Sequence, residues 1–303
     1  DTDAPATFKV ITRDRFGNEC IEGGFKVVAG LAGKGDVDGQ KVDVDVKDNG
    51  DGTYSASYQP KKAGDYTLDV TLSGANIKDA PFDVKVAPGA VVAGNTTADG
   101  DGLKRVVAGE TGEFSVQTRD ANNNNVVSGG AAIAGKLDGP GDVKVDVKDN
   151  DDGTYAGSYV PTVAGDYKLD VTFGGDSIAD SPFSVLVVPA APSAANSVAS
   201  GDGIASANTD DKATFAIQTK DQFDNNCVEG GADITVALSG ADDVTGDVKD
   251  NGDGTYSVEY QATKAGDYKL DVKLGGDDIK DAPFTVKVDP GAAVAGTTVA
   301  EGE

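Results

Sequence analysis

The amino-acid sequence predicts an all-β protein built from three tandem β-sandwiches, and two observations support this fold class. The pattern Asp-Asn-x-Asp-Gly-Thr-Tyr occurs at residues 48–54, 149–155 and 250–256, at a constant spacing of 101 residues. The segments around it alternate apolar and polar residues, as half-buried strands do, and no segment has a helical period. A repeat of this length has the size of one domain, so the chain is an array of three domains.

Composition excludes several classes of function. The 303 residues carry a formal net charge of −25, which argues against binding DNA, RNA or acidic lipid, because each phosphate contact needs Lys or Arg. The chain contains no His, and no Lys, Ser or carboxylate pair stands apart from the repeat pattern as a catalytic site would. No apolar run reaches membrane-spanning length. We therefore expect a protein that is not an enzyme, with no cofactor, no nucleic-acid partner and no membrane insertion.

The first strand of each repeat has a clean alternating pattern. It covers residues 6–13 (ATFKVITR), 112–119 (GEFSVQTR) and 213–220 (ATFAIQTK), and each copy places one Phe toward the core. A Gly pair and a second strand follow. Between that pair and the Asp-Asn turn, repeat one carries five more residues than the other repeats, within residues 30–40. Because loop insertions cost little stability, we interpret this surplus as length variation.

The strands after the Asp-Asn turn complete the predicted core. Tyr66 follows a Gly-Asp turn at the start of a strand, as do its equivalents Tyr167 and Tyr268, which suits the tyrosine corner of an immunoglobulin-like sandwich. Pro81 is admissible because it lies at a strand start. The residues of repeat one that we expect to be buried are Phe8, Tyr54, Tyr58, Tyr66, Leu68, Val70 and Phe82.

Four motifs in a fixed order indicate a family. They are Phe-x-Val-x-Thr-Arg-Asp, Asp-Asn-x-Asp-Gly-Thr-Tyr, Ala-Gly-Asp-Tyr and Ser-Pro-Phe, all present in repeat two and with small changes in the others. Their order and spacing resemble the filamin-type immunoglobulin repeat (the filamin/ABP280 repeat), three times over nearly the whole chain. The resemblance implies a seven-stranded sandwich used in tandem as a spacer, in proteins that cross-link actin and bind peptides. The calponin-homology domains of filamins do not occur in this sequence, so actin is a partner only if a separate actin-binding domain exists.

The resemblance also implies where partner peptides bind. Filamin-type repeats bind them by adding a strand beside strand C, which would be residues 25–29, 131–135 and 233–238, with strand D near 42–46, 143–147 and 244–248. The expected peptide-docking residues are Phe25, Val27, Ala29, Ala131, Ile133, Ile234 and Val236.

Short linkers containing Pro separate the repeats, at residues 87–94, 188–193 and 289–292, and they favour a semi-rigid rod. The predicted domains are residues 1–88, 89–189 and 190–290, followed by a C-terminal strand within 291–303.

Several other motifs have ordinary interpretations. The Asp-Asn-Gly-Asp-Gly turn resembles a calcium loop but lacks the EF-hand ligand pattern, so we expect a solvated turn. No metal is expected, and the remaining weak candidates are Asp99, Asp101 and Asp202 near the repeat junctions. Asn95 lies in the single glycosylation sequon, which matters only in a secreted protein.

The two cysteines, Cys20 and Cys227, occupy equivalent positions in repeats one and three, where repeat two has Val126. The exchange with Val predicts free, buried thiols, because equivalent points of separate domains lie too far apart for a disulfide.

The two ends of the sequence have complementary features. Residues 297–303 align at the repeat spacing with residues 95–101 and 196–202, the strand A segments, whereas repeat one starts close to strand B. A sandwich without strand A exposes a strand edge, and an added strand can complete it. The predicted donor strand has Val294, Gly296, Thr298 and Ala300 on one face, and the predicted acceptor edge contains Thr7, Phe8, Val10 and Thr12.

Two hypotheses remain open. In the first, the chain is a structural subunit whose tail completes repeat one of the next copy, which gives a head-to-tail fibre, with an extracellular location as one possibility. In the second, it is a segment of a longer cytoplasmic, cytoskeletal rod whose C/D strand faces bind partner peptides.

Overall fold

The computed structural model describes residues 1–301, and each repeat folds into two β-sheets around its own hydrophobic core. Repeat one contains β1 (Ala6–Ile11), β2 (Val27–Gly33), β3 (Lys41–Asp43), β4 (Asp45–Asp48), β5 (Thr53–Tyr58), β6 (Gly64–Leu72), β7 (Ala75–Asn76) and β8 (Phe82–Val86). One sheet has the order β1-β5-β4, and the other has β3-β2-β6-β7 with β8 also paired to β6.

Repeat two adds two strands before its strand B. It contains β9 (Thr97–Asp99), β10 (Arg105–Val107), β11 (Gly112–Gln117), β12 (Ile133–Asp138), β13 (Asp146–Asp149), β14 (Thr154–Tyr159), β15 (Gly165–Phe173), β16 (Asp176–Ser177) and β17 (Phe183–Val188). The sheet orders are β13-β14-β11-β9 and β10-β17-β15-β12. In immunoglobulin lettering, β9 is strand A, β11 is strand B, β12 is strand C and β17 is strand G.

Repeat three has the same plan. It contains β18 (Pro192–Ser200), β19 (Ser206–Asn208), β20 (Ala213–Asp221), β21 (Ile234–Ser239), β22 (Val244–Thr245), β23 (Asp247–Asp250), β24 (Thr255–Tyr260), β25 (Gly266–Leu274), β26 (Asp277–Asp278) and β27 (Phe284–Asp289). The sheets are β18-β20-β24-β23 and β19-β27-β25-β21-β22. These strands confirm the all-β fold class. They also show that the predicted linker at 188–193 ends inside β18, where Pro192 and Ser193 already pair with β20.

The predicted core of repeat one is partly correct. Tyr54, Tyr66, Leu68 and Val70 are buried, with Tyr66 only 1% exposed. Three aromatic side chains are only half-buried and pack at the margin of the core: Phe8, Tyr58 and Phe82. The equivalents of Phe8 and Tyr58 in repeats two and three are fully buried, so their exposure is particular to repeat one.

The tyrosine corner is confirmed in all three repeats. The Tyr66 hydroxyl donates a hydrogen bond to the Lys62 carbonyl four residues earlier, at 2.9 Å. Tyr167 and Tyr268 make the same bond, at 2.8 and 2.9 Å. Each hydroxyl therefore finds a partner although its ring lies inside the core.

Strand C starts two residues later than expected in repeats one and two. The Phe25 N–H donates to the Tyr54 hydroxyl (2.8 Å) and the Ala131 N–H to the Tyr155 hydroxyl (2.7 Å), so both residues lie before the ladder. The prediction that they belong to strand C is wrong for that reason. Strand D is also shifted: the strands that pair with strand E begin at Asp45, Asp146 and Asp247, after a short pairing with strand C.

The surplus segment of repeat one is not only a surface loop. It extends β2 to Gly33 and forms a 3-10 turn at Gly35–Val37. Val37 is buried in the core of repeat one and packs against Gly64, where a Cβ would approach the valine methyl groups to 2.9 Å. The insertion therefore contributes apolar burial as well as length.

Both cysteines are free, but their environments differ. Cys227 is buried, in agreement with the expectation, whereas Cys20 is half-exposed. Among residues 1–301, no helix is long and apolar enough to cross a membrane.

We expect Tyr66→Ala to destabilise repeat one by about 3 to 5 kcal/mol, because a fully buried aromatic ring is removed. The control Tyr66→Phe removes only the bond to Lys62 and should cost about 1 kcal/mol. Amide hydrogen exchange in β6 measures both effects, with β15 and β25 as internal references. Unchanged exchange in β6 of Tyr66→Ala would show that this ring does not support the core.

Candidate binding edges and repeat junctions

Repeats one and two meet at the carboxylate of Asp120, which follows β11. Asp120 Oδ2 accepts hydrogen bonds from Thr2 Oγ1 (2.6 Å) and from the linker N–H of Gly89 (2.9 Å). Asn124 Nδ2 donates to the same oxygen (2.8 Å), and Asn124 Oδ1 accepts from the Ala63 N–H of repeat one (3.0 Å). One buried carboxylate therefore joins the linker and both repeats.

The surroundings of Asp120 favour its charged form. Burial alone would raise the pKa of this carboxyl, but hydrogen bonds from Thr2, Asn124 and Gly89 outweigh it and hold the pKa well below its usual range. A carboxylate that accepts several bonds at a closed interface remains ionised down to strongly acidic pH. Asp120 is therefore negatively charged when repeats one and two are docked.

Repeats two and three meet in a related way. Asp221 Oδ2 accepts from the linker N–H of Ala190 (2.9 Å), and Asn225 Oδ1 accepts from the Ala164 N–H (2.8 Å). This junction adds an apolar contact, because the ring of Phe223 packs against the core of repeat two and lies over Gly109. A Cβ at Gly109 would lie 2.5 Å from two ring carbons of Phe223.

The same loop occurs at the other end of repeat one. Asp14 Oδ1 accepts from the Phe16 and Asn18 N–H groups (2.8 and 2.9 Å), and Asn18 Nδ2 donates to Asp14 Oδ2 (2.9 Å). This loop is exposed, so it forms without a docked repeat. The Arg-Asp motif alone did not predict this role. The Asn that follows each Asp four residues later, in all three repeats, was the available signal.

The predicted acceptor edge lies on β1. Within residues 1–301, β1 pairs with β5 only, whereas β11 pairs with β14 and β9, and β20 pairs with β24 and β18. Three of the predicted acceptor residues lie in this strand: Thr7, Phe8 and Val10. Thr12 is different. It lies beyond β1, and its N–H and hydroxyl both donate to the Gly52 carbonyl (3.0 and 2.7 Å), so it belongs to the β5 side.

Strand A is held in repeats two and three by two recurring hydrogen bonds. The Arg119 N–H donates to Thr96 Oγ1 (3.3 Å), and the Ala179 N–H donates to the Thr96 carbonyl (3.1 Å). In repeat three, the Lys220 N–H donates to Ser197 Oγ and the Lys280 N–H donates to the Ser197 carbonyl. Thr96 and Ser197 are fully buried. A small hydroxyl side chain at this position is therefore the anchor of strand A.

The segment after strand A closes one end of each complete sandwich. The Tyr159 hydroxyl donates to the Gly102 carbonyl and the Tyr260 hydroxyl to the Gly203 carbonyl, and Leu103 or Ile204 packs on the core. Burial raises the pKa of both tyrosines to about 12. In repeat one, Phe8 and Tyr58 pack on each other with centroids 6.2 Å apart, much as their equivalents Phe215 and Tyr260 do at 6.4 Å, but they stay half-exposed.

The predicted donor residues form no strand in the single chain. Val294 is 59% exposed, and its carbonyl accepts from the hydroxyls of Thr297 and Thr298 (3.3 and 2.8 Å) in a local turn. Gly296 and Ala300 are also exposed. The part of the prediction that falls on residues 302 and 303 lies outside the described residues.

The peptide-docking residues lie along the outer edge of one sheet in each repeat. β3 pairs with β2 only over Gly30–Ala32. Val27 and Ala29 therefore lie on the part of β2 that β3 leaves uncovered, called its open part below. The outer side of β12 has one bridge, at Leu137, and that of β21 is paired at Ala237 and Leu238. The remaining predicted strand C residues precede these pairings: Ile133, Ile234 and Val236. The Val236 carbonyl already accepts from the Gly246 N–H (3.0 Å).

The weaker site candidates have local roles. Asp99 and Asp101 flank Gly100 in repeat two, Asp202 occupies the matching turn of repeat three, and residues 1–301 contain no group of three potential metal ligands. Asp48 accepts from the Gly24 and Gly50 N–H groups, as an ordinary turn residue does. The Asn95 side chain donates to the Asp120 carbonyl (2.8 Å), which places the sequon in the junction.

We expect Asp120→Asn to loosen the junction of repeats one and two, because an amide oxygen accepts weaker hydrogen bonds than a carboxylate. The loss should be about 1.5 to 3 kcal/mol, measured as faster amide exchange at Gly89 and Ala63. Asp14→Asn is the matched control, since it changes the same loop on an undocked face. Equal exchange at Gly89 and Ala63 in both variants would contradict this role.

Acid should have the same effect as the substitution. The pKa of Asp120 is lowered in the docked state, so its stabilisation is present above the ordinary value of 3.8 and is lost as the pH falls below it. The protection of the Gly89 amide, measured relative to its intrinsic exchange rate at each pH, should therefore decrease below that pH in the unmodified chain. In Asp120→Asn this acid-dependent component should disappear.

Comparison with known proteins agrees with this architecture. The family model described as Filamin/ABP280 repeat matches residues 1–83, 90–184 and 191–285. Filamin-C of Rattus norvegicus is 32% identical over 249 residues, which cover 80% of this chain and 9% of that protein. Filamin-A of Drosophila melanogaster is 31% identical over 254 residues, covering 81% of this chain and 11% of that protein.

A solved structure has the same overall fold. The Escherichia coli adhesin FdeC superposes with a TM-score of 0.62 at 19% identity, covering 94% of this chain and 92% of that chain. This likeness supports a row of immunoglobulin-like sandwiches. The chain spans about a tenth of the length of the filamins that it matches. With three matches that together cover most of its residues, the chain belongs to the filamin repeat family.

Proposed function

We propose that this chain is a non-enzymatic structural rod, and that its repeat one is completed by β-strand addition along β1. The observation that carries the proposal is the contrast between repeats within residues 1–301: strand B is flanked on both sides in repeats two and three and on one side in repeat one. An open strand edge beside half-exposed Phe8 and Tyr58 offers main-chain hydrogen bonds and apolar area together.

The C-terminal tail has the sequence of a suitable donor. Its repeat spacing aligns Ala300 with Ala98 and Ala199, which lie opposite Val116 and Ile217 and pack on the cores of their repeats. By the same register, Ala300 would lie opposite Val10. The alternating residues Val294, Gly296 and Thr298 would then share the inward face with Ala300.

Thr298 gives this donor a specific anchor. It aligns with Thr96 and Ser197, the buried hydroxyl residues of the two strands A. In repeat one, Arg13 is equivalent to Arg119 and Lys78 is equivalent to Ala179. The Thr298 hydroxyl would therefore accept from the Arg13 N–H, and the Thr298 carbonyl from the Lys78 N–H. Neither N–H makes such a bond within residues 1–301. Repeat one therefore presents two donors at the positions where the anchor residue binds in its neighbours.

Two arrangements would supply the strand. If the tail of a second copy is donated, copies assemble head to tail into a fibre. If the chain is a segment of a longer filamin-like rod, the strand comes from the residues that precede repeat one. The small share of each filamin that the chain covers is compatible with the second arrangement. Each ladder bond adds about 1 kcal/mol, so a tail alone would offset the cost of association only narrowly.

A second candidate function is peptide binding at strand C. The open part of β2 and the outer edges of β12 and β21 leave main-chain groups free for an added strand in each repeat. Val28 is 49% exposed on this edge, so a peptide would gain apolar contacts as well as hydrogen bonds. Partner proteins would bind by this mode in either arrangement of the rod.

We expect deletion of residues 293–303 to abolish head-to-tail association while leaving three folded repeats. The deletion keeps Gly291 and Ala292, whose N–H groups donate to Thr209 and Asp210. Because the subunits are acidic, association of the intact chain should strengthen with salt at low ionic strength. Sedimentation velocity at high concentration measures it. Equal sedimentation of the intact and shortened chains would exclude the fibre and favour the longer rod.

A single hydroxyl should distinguish strand donation from other contacts of the tail. Thr298→Val keeps the shape of the side chain but removes the acceptor, so association should weaken about fivefold, the effect of one hydrogen bond. Thr297→Val, which removes the adjacent hydroxyl on the other strand face, is the control. If both variants associate like the unmodified chain, Thr298 is not the anchor.

For strand C, we expect an added alternating apolar and basic peptide to protect amides within residues 28–29, 134–136 and 234–236 from hydrogen exchange, since the Val27 and Ile133 amides already donate within the chain. Basic side chains are chosen because the rod carries a net charge of −25. Protection confined to strand G, at β8, β17 and β27, would contradict docking beside strand C.

A further inference from the structure

We propose that the loop face of repeat one, defined by Asp14, Phe16 and Asn18, is a docking surface for the end of another filamin-type repeat that has glycine at the position of Gly109. The inference rests on the proposed function, in which repeat one is joined to another repeat, and it specifies the kind of repeat.

The two junctions use different residues at one equivalent position. Between repeats two and three the position holds Phe223, whose ring covers Gly109. Between repeats one and two it holds Asn122, whose Nδ2 donates to the Thr2 carbonyl (3.4 Å) beside Asp3. Where the loop carries an aromatic residue, Phe223, the facing turn has glycine, Gly109. Where the loop carries an amide residue, Asn122, the facing turn has the Thr-Asp sequence of repeat one.

The shapes of the two turns explain this pairing. Gly109 has φ +84 in a turn closed by the Glu110 N–H and the Val107 carbonyl (3.0 Å), and because it has no Cβ the ring of Phe223 can lie against it. Asp3 Oδ2 instead accepts from the linker N–H of Ala90 (2.7 Å). A ring placed over that turn would take water from a charged carboxylate without replacing its hydrogen bonds, which is unfavourable.

Repeat one presents the aromatic type of face. Phe16 is equivalent to Phe223 and is 74% exposed, with the Arg15 guanidinium 4.5 Å from its ring centroid. The loop around it has the same hydrogen bonds as the docked loop: the Phe223 and Asn225 N–H groups donate to Asp221 Oδ1 at 2.8 and 2.9 Å, as their equivalents do in repeat one. The face is therefore preformed, and docking would cost little ordering of the loop.

The end of repeat three is of the other type. Asp210 Oδ2 accepts from the Ala292 N–H (2.7 Å), as Asp3 Oδ2 accepts from Ala90 in repeat one. The Gly291 N–H donates to Thr209 Oγ1 (2.8 Å). A second copy of this chain would place Asp210 against Phe16. The matched occupant is a repeat that ends like repeat two, with an Ala-Gly turn and with the backbone N–H and carbonyl groups that Asn18 would bind.

The test converts the end of repeat three. In the full chain, residues 208–211 (Asn-Thr-Asp-Asp) are replaced by Val-Ala-Gly-Glu, the sequence of residues 107–110. Sedimentation equilibrium should give a dissociation constant for self-association at least about tenfold below that of the unmodified chain. Adding Phe16→Asn to the converted chain should reverse the gain. Equal association of the unmodified and converted chains, or no effect of Phe16→Asn, overturns the proposal.

A second variant keeps the proposal testable if the converted turn does not fold. Phe223→Asn in the unmodified chain removes the aromatic match at the existing junction. Amide exchange at Ala164, whose N–H donates to Asn225 across that junction, should become at least about fivefold faster. Phe16→Asn is the control and should leave this amide unchanged. Unchanged exchange at Ala164 in Phe223→Asn would show that the glycine and aromatic pair does not hold repeats together.

Docking through Phe16 can be separated from strand addition by measuring self-association of the unmodified and converted chains after both are shortened to end at residue 292. Docking through Phe16 does not involve the tail, so the converted chain should still associate more tightly than its unmodified counterpart. If the gain disappears with the tail, the association comes from strand donation and the docking surface is excluded. If the gain persists while tail deletion has no effect in the unmodified chain, docking is supported and donation between copies is not.

Discussion

The Asp-Asn-x-Asp-Gly-Thr-Tyr corner is the interaction on which each sandwich depends. In repeat one, Asp48 accepts from the Gly24 N–H (2.6 Å) and the Gly50 N–H (2.8 Å), while the Tyr54 hydroxyl accepts from the Phe25 N–H. The corner thus fixes the turn between strands D and E and the start of strand C together. Gly52 has φ +80 and lies against the Cys20 carbonyl, so a side chain there would disturb the approach to strand C as well as the turn.

This constraint determines where the binding edges are. Because Phe25 and Ala131 are held by tyrosine hydroxyls, the free ladder of strand C begins only at Val27 and Ile133. The short strands before strand D then cover the far end of that ladder in repeats one and three. A peptide is left with three or four residues of open edge, so side-chain contacts would have to supply much of its affinity.

The sequence predicted the features that depend on local pattern. Tyr66 could be assigned to a tyrosine corner because its partner, Lys62, lies four residues away, and the strands follow a period of two. The half-exposure of Phe8 and Tyr58 could not be predicted from their own alternation, because it depends on which segment covers them. The same holds for Asp120: its partners Thr2 and Gly89 lie far away in the chain, and nothing local distinguishes it from the exposed Asp14.

The junctions restrict the freedom of the linkers. The linker itself is bound, since the Gly89 and Ala190 N–H groups donate to Asp120 and Asp221 of the next repeat. A linker held at its midpoint by a hydrogen bond has less freedom to act as a hinge. The loop that carries the Asp has the same hydrogen bonds whether docked or exposed, so little conformational entropy opposes docking. The contact at each junction then involves the charge of one carboxylate and the fit of one side chain, Asn122 or Phe223. Neighbouring repeats can therefore differ in which ends they accept without any change in the sandwich.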